Sequence, residues 1–195
     1  MKRVGKIAGI GLFVVLSLLV LMVALVLGTQ AGSRWALALV PGLQVDNFQG
    51  RLAAQWQAER LVWEQGGDRV ELVAPLLQWS PACLLRRTLC VEKLHAAQVA
   101  LTFAPTETDP DSGPLKLPEL DLPLAIELGE VQVGTLRLDG AEQLSGLTLA
   151  AHWTRDGLKI DSLDLTREDL HLTLQGLLQP GGDWPLQAEG QLQLP

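Results

Sequence analysis

No acidic residue precedes Asp46, and no charge of either sign interrupts Ile7–Gly28. Without a charged break, this run is not the amphipathic surface helix of a soluble domain. At about 1.5 Å per residue it makes a helix of about 33 Å, enough for a hydrocarbon core of about 30 Å. Lys2, Arg3 and Lys6 stand just before it and orient it with the N-terminus cytoplasmic and the rest exported. A cleaved secretory signal, with Thr29 and Ala31 at the cleavage site, is the rival reading. The run exceeds the 7–15 residues usual for a signal core, which favours a retained anchor.

Tyrosine is absent and phenylalanine occurs three times, so leucine supplies most of the apolar surface. The net charge is −7, and without the three N-terminal cations the remainder is more acidic still. Such a chain is poorly suited to nucleic acid or to anionic lipid surfaces, both of which favour clustered Lys and Arg. Cys83 and Cys90 are the two cysteines, both on the exported side. An even count in an oxidising compartment points to a disulfide, with two buried thiols as the alternative. A metal site is disfavoured, because no second Cys or His pair accompanies them.

No Gly-x-Ser-x-Gly elbow and no glycine-rich phosphate loop occurs, so neither nucleophilic hydrolysis nor nucleotide chemistry is indicated. His95, His152 and His171 lack a second His or Cys at ligand spacing and read as solvated strand residues. Asp161, Asp164, Glu168 and Asp169 are the densest acidic cluster, but they lack the order of a calcium loop. The chain reads as a protein without an active site, a metal or a cofactor.

What is present is alternation. From Gln30 to Val40 a helix is allowed, ended by Pro41-Gly42, and Trp35 falls where an indole can rest in the membrane interface. Beyond Pro41 the apolar period becomes two. Leu147, Leu149, Ala151 and Trp153 share one strand face, Leu170, Leu172 and Leu174 another, and Leu186, Leu192 and Leu194 a third. Less regular runs span 69–79, 89–94, 98–103, 124–128 and 131–138. Gly129, Gly140, Asp156-Gly157 and Pro180-Gly181-Gly182-Asp183 mark turns, and the phase slip between Ile160 and Leu163 reads as a bulge. Ser80-Pro81 opens a short helical turn carrying Cys83, with Ser80 as N-cap. Residues 104–118, rich in Pro, Thr and Asp, form a loop. The expected organisation is a cytoplasmic tip and transmembrane anchor over 1–28, a helical connector over 29–41, and a periplasmic antiparallel β-sheet domain over 42–195.

Flexible leucines on recurring short strands suit a curved, extended sheet with an apolar interior as well as they suit a sandwich core. A leucine gutter would accept acyl chains at about 0.8 kcal/mol per buried methylene, without shape selectivity. Its lining would be Leu147, Leu149, Trp153, Leu170, Leu172, Leu174, Leu192 and Leu194. The last strand stops at Leu194-Pro195 with no cap or polar tail, as expected of a fragment of something longer or of an edge covered by another subunit.

The signal anchor, the Leu61-Val62-Trp63 strand, Val70-Glu71-Leu72, the cysteine segment 82–94 and the strand at Gln98–Leu101 together resemble the start of the TamB family. Leu122–Leu128 and Gly134–Gly140 are similar to that family too. The resemblance implies an inner-membrane subunit of the translocation and assembly module. Its fold would be a long, taco-shaped β-sheet that guides phospholipid acyl chains towards the outer membrane. It would support outer-membrane protein assembly with a barrel partner of the TamA type, through a part absent from these residues. Two alternatives stand beside it: an LptC-like subunit of the lipopolysaccharide bridge, and a structural anchor that recruits a partner by strand addition.

Overall fold

The computed structural model describes residues 2–104, 124–154, 157–167, 170–178 and 186–193, with side chains from residue 13 onward except that of Leu186. Leu194, most of the 104–118 loop and the 180–183 turn lie outside these residues. Two helices come first, α1 (Lys2–Gly28) and α2 (Gln30–Ala38). Thr29 separates them: it is extended, and its hydroxyl accepts from Gly32 N at 3.2 Å, an N-cap that starts α2 afresh. Among the described residues no single helix is long and apolar enough to cross a membrane. Phe13–Gly28 and Gln30–Ala38 reach that requirement only as a pair, bent by 95°. The bend depends on Gly32, where a Cβ would lie 2.4 Å from Val26 O.

The rest is one open, curled sheet. Its strands are β1 (Leu43–Asp46), β2 (Gln49–Gly50), β3 (Gln55–Gln57), β4 (Arg60–Gln65), β5 (Asp68–Val73), β6 (Leu76–Ser80), β7 (Thr88–Thr102), β8 (Ala125–Leu138), β9 (Ala141–Leu144), β10 (Gly146–Thr154), β11 (Gly157–Arg167), β12 (Leu170–Leu178) and β13 (Leu186–Gln193). The main path runs β1-β4-β5-β7-β8-β10-β11-β12-β13. A side path, β2-β3-β6, joins β7 along the same edge as β5: β5 pairs with Gln98–Thr102 and β6 with Cys90–His95. The chain steps from one to the other at Ala74, whose φ of 49° breaks the run before Pro75. The alternation at 69–79 is therefore two strands and not one. Conversely, 89–94 and 98–103 belong to one long β7, and 124–128 and 131–138 to one long β8.

The sheet is antiparallel except at its centre, where β7 and β8 run parallel from Thr88↔Ala125 to Leu101↔Leu138. Alternation has the same period in either direction, so the pattern carries no sign of the reversal. Residues 103–124, which separate the two strands in sequence, give the length that a parallel return needs. Gly129, expected at a turn, lies inside β8. A Cβ there would stand 2.9 Å from Glu92 O, and at Gly134 it would stand 2.4 Å from Ala97 O. Both glycines let β8 lie close against β7. The Asp139-Gly140 turn does form, with φ of 48° and 83°, as a tight two-residue hairpin requires.

Candidate functional site

Successive apolar residues of one strand pair with apolar residues of the next, and the pairing continues across the sheet. Val133, Leu147, Leu165, Leu172 and Leu192 form one row in register, and Val131, Leu149, Leu163 and Leu174 the next. A further row holds Leu128, Ala151 and Ile160, and another Ile126, Trp153, Leu158 and Leu178. In the first half of the sheet Val45, Leu61, Leu72 and Val99 line up, beside Leu43, Trp63, Val70 and Leu101. The rows survive a register shift between Leu149 and Ala151 and another between Ile160 and Leu163. The second is the phase slip seen in the sequence. A bulge adds one residue and restores the face, which keeps leucine on the same side past the slip.

Among the described residues no second layer covers this face. The buried apolar residues among those described are Phe48, Ala58, Val62, Cys83, Cys90, Ala96, Val131 and Ala151, and no leucine is among them. Leu147, Leu149, Trp153, Leu170, Leu172 and Leu174 are half-buried, and Leu192 is 58% exposed. A sandwich would bury its inner leucines below the surface. Leu170 stands apart from the rows, because its partner across the ladder is Arg167.

The opposite face is polar and ion-paired. Arg60 meets Glu71 at 2.7 Å, Arg69 meets Glu64 at 2.6 Å, and Lys93 meets Glu130 at 3.3 Å. Two of the histidines, expected to be merely solvated, belong to this pattern. His171 Nε2 lies 3.2 Å from Asp164, and His152 Nδ1 faces Asp161, which Lys159 also holds at 2.9 Å. The hydrogen bond from Lys159, with the charges of His152 and Lys159, lowers the Asp161 pKa below its ordinary value against a smaller opposing effect of burial. These partners come from neighbouring strands and from a bulge, so spacing along one strand could not reveal them. Among the described residues no group of His, Cys, Asp and Glu side chains could hold a metal ion.

Cys83 and Cys90 lie at disulfide distance, with sulfurs 2.12 Å and Cα atoms 6.0 Å apart. Cys83 is on a 3-10 turn, Pro81–Arg86, that closes at Arg87 in the left-handed conformation (φ 56°), with Arg87 N donating to Leu84 O at 3.0 Å. Ser80 occupies the N-cap position but its hydroxyl makes no capping hydrogen bond.

A family comparison matches residues 19–116, just over half of the chain, to TamB, N-terminal domain. The chain belongs to the TamB family. The match begins inside α1 and takes in α2, the β1–β7 half of the sheet and the cysteine turn, which are the parts that join helix to sheet in this TamB-family chain. No curated protein and no solved structure was found to match.

That joint is built from few contacts. Ser33, fully buried at the corner between α1 and α2, donates to Leu27 O at 3.2 Å and accepts from Leu52 N at 3.0 Å. Ala53 N also donates to Leu27 O, at 3.0 Å. Arg34 donates through Nε and Nη2 to Phe48 O at 3.2 and 2.7 Å, and Gln30 Nε2 donates to the same oxygen at 3.3 Å. Phe48 is buried and stacks on Trp56, ring centroids 6.0 Å apart. Sequence reading missed Ser33, Arg34 and Phe48, since nothing in a lone Ser or Arg announces which backbone groups it will satisfy. Trp35 on α2 is 55% exposed.

Proposed function

We propose that this chain is the membrane-rooted start of a lipid conduit of the bacterial inner membrane. α1 crosses the bilayer with Lys2, Arg3 and Lys6 on the cytoplasmic side. Trp35 on the 29–41 connector rests at the outer interface, and the sheet over 42–195 stands in the periplasm. Acyl chains lie along Leu147, Leu149, Trp153, Leu170, Leu172, Leu174 and Leu192, while head groups stay in water at the open side. The chain works by passive guidance, without catalysis or cofactor. It serves outer-membrane lipid supply and protein assembly together with a barrel partner of the TamA type.

One observation carries this reading: rows of leucine in register across the sheet, half-buried, with no second layer over them among the described residues. Such a surface is stable in water only when something apolar covers it. A flexible aliphatic lining accepts acyl chains of any length, each methylene contributing about 0.8 kcal/mol. The membrane assignment is supported by the length of α1, whose 27 residues span about 40 Å. Its apolar side chains are also left outside the fold, Phe13 being 70% exposed.

The test is a photo-reactive side chain at Leu149 or Leu172 in cells, with Thr148 or Thr173 on the polar face as controls. Phospholipid adducts are expected at the leucines and absent at the threonines. If a known lipid carrier labels in parallel and neither leucine does, the conduit assignment is wrong.

A further inference from the structure

Leu85 is 90% exposed, more than any other large apolar side chain among the described residues. It sits on the 3-10 turn beside Leu84, itself 41% exposed, and is followed by Arg86 and Arg87. Neither arginine forms an ion pair among the described residues, although Arg60, Arg69 and Lys93 on the polar face of the sheet each do. The turn is held at both ends: Cys83 is bonded to Cys90, and Ala125 N donates to Arg87 O at 3.0 Å. A leucine presented so far into solvent, on a stapled turn, next to two unpaired cations, is the combination that an anionic bilayer interface accepts.

The turn is also tied to the end of α1. Ala53 N bonds Leu27 O in the last turn of that helix, and Leu52 O accepts from Trp79 Nε1 at 2.7 Å. Ala54 O accepts from Trp79 N at 3.1 Å, and the 3-10 turn begins two residues later at Pro81. This short route connects the helix end to Leu85. The net charge of −7 argues against broad attraction to anionic lipid, so any such contact has to be local, as this one is.

We infer that the stapled turn is a second membrane contact, with Leu84 and Leu85 inserted among the lipids of the outer leaflet and Arg86 and Arg87 on their phosphates. The inference rests on the reading that α1 crosses the bilayer. The two contacts together would fix the tilt of the sheet over the membrane, which a single helix at a bent joint leaves free.

The experiment reconstitutes the full chain in vesicles of phosphatidylcholine alone and of phosphatidylcholine with an equal part of phosphatidylglycerol. A photo-reactive residue replaces Leu85, or Leu149, or Leu138 at the far end of β8. Labelling of lipid at position 85 is expected, stronger in the anionic vesicles and reduced by salt, with none at 138. The double change Arg86→Glu and Arg87→Glu lowers the labelling at 85 in anionic vesicles on the order of tenfold. Labelling at 149 without labelling at 85 overturns this inference and leaves the conduit standing; labelling at 85 without 149 does the reverse. Equal labelling at 85 in both vesicle types, unmoved by salt, overturns the phosphate contact. A chain that does not float with the vesicles overturns both readings.

Discussion

Leu27 and Leu52 are joined through one hydroxyl: Ser33 Oγ donates to the carbonyl of the first and accepts from the amide of the second, at 3.2 and 3.0 Å. The last turn of α1 and the loop that precedes β3 are thereby held by a side chain that water does not reach. Helix carbonyls at a C-terminus lack internal partners, and here one of them is used to attach the helix to the sheet.

Removing that hydroxyl is therefore expensive. Ser33→Ala leaves Leu52 N without its partner in a buried site, and the sheet domain should lose about 1–3 kcal/mol. Urea unfolding followed by tryptophan fluorescence reads the loss, and hydrogen exchange at the Leu52 amide should rise with it. Full retention of protection at Leu52 would show that the joint does not depend on Ser33.

The cysteine bridge should stabilise by restricting the unfolded chain, modestly because the loop it closes is short. Cys83→Ser with Cys90→Ser, or reduction of the unmodified chain, is expected to cost about 2–3 kcal/mol. Limited proteolysis should then open the chain first at Leu84–Arg87. An unchanged unfolding midpoint after complete reduction would contradict this.

On the leucine face, a single acidic residue separates an open sheet from a sandwich. Leu165→Glu places a carboxylate on a half-buried position, so the domain should remain folded with a loss below about 2 kcal/mol, while copurified phospholipid falls several-fold. In a closed core the same change would bury an unpaired charge and unfold the domain. Circular dichroism and lipid quantification on one preparation distinguish the two.

Acid should weaken the sheet at one identifiable place. The Asp161 carboxyl is held below its ordinary pKa, first by the Lys159 hydrogen bond and then by His152. A lowered folded-state pKa contributes stability that is present above the unfolded value of about 4 and is lost as the pH falls through the folded value. Asp161→Asn should remove that part of the acid dependence and leave the midpoint near neutrality little changed, since its partners Lys159 and His152 are exposed and solvent screens the pair. Thermal melts across the acid range check it. Identical acid profiles for the two proteins would assign the dependence to other carboxylates.

Close approach at the centre gives the last expectation. Gly134→Val sets a side chain against Ala97 O, where even a Cβ would stand 2.4 Å away, and should cost about 1–3 kcal/mol with loss of exchange protection along β8. Gly140→Val, at the β8–β9 turn with φ of 83°, should affect that hairpin and spare the pairing with β7.

The leucine alternation of β10, β12 and β13 was legible because one face is apolar and the other polar, and a period of two has no other common cause. The cysteine turn was legible from Pro81 and two cysteines near in sequence. The direction of β8 was not, because parallel and antiparallel strands share that period and the connecting residues do not carry a helical pattern. Nor was Ser33, whose role arises only when α1, α2 and the 51–54 loop meet. That no second layer covers the leucines among the described residues was likewise hidden: a leucine facing a sandwich partner and a leucine facing open space are written with the same letter.

The parallel seam divides this molecule into two folding histories. From β8 onward each main-path strand finds its partner next to it in sequence, and the meander can zip as fast as its hairpins close. β7 has no such neighbour ahead of it. During synthesis its 15 residues must wait, with one edge bare, until the chain has been made past residue 124 and β8 can pair with it. In that interval an exposed strand of such length invites the wrong partner. Anything that shields β7 while 103–124 is being made governs how much of this protein reaches its folded form.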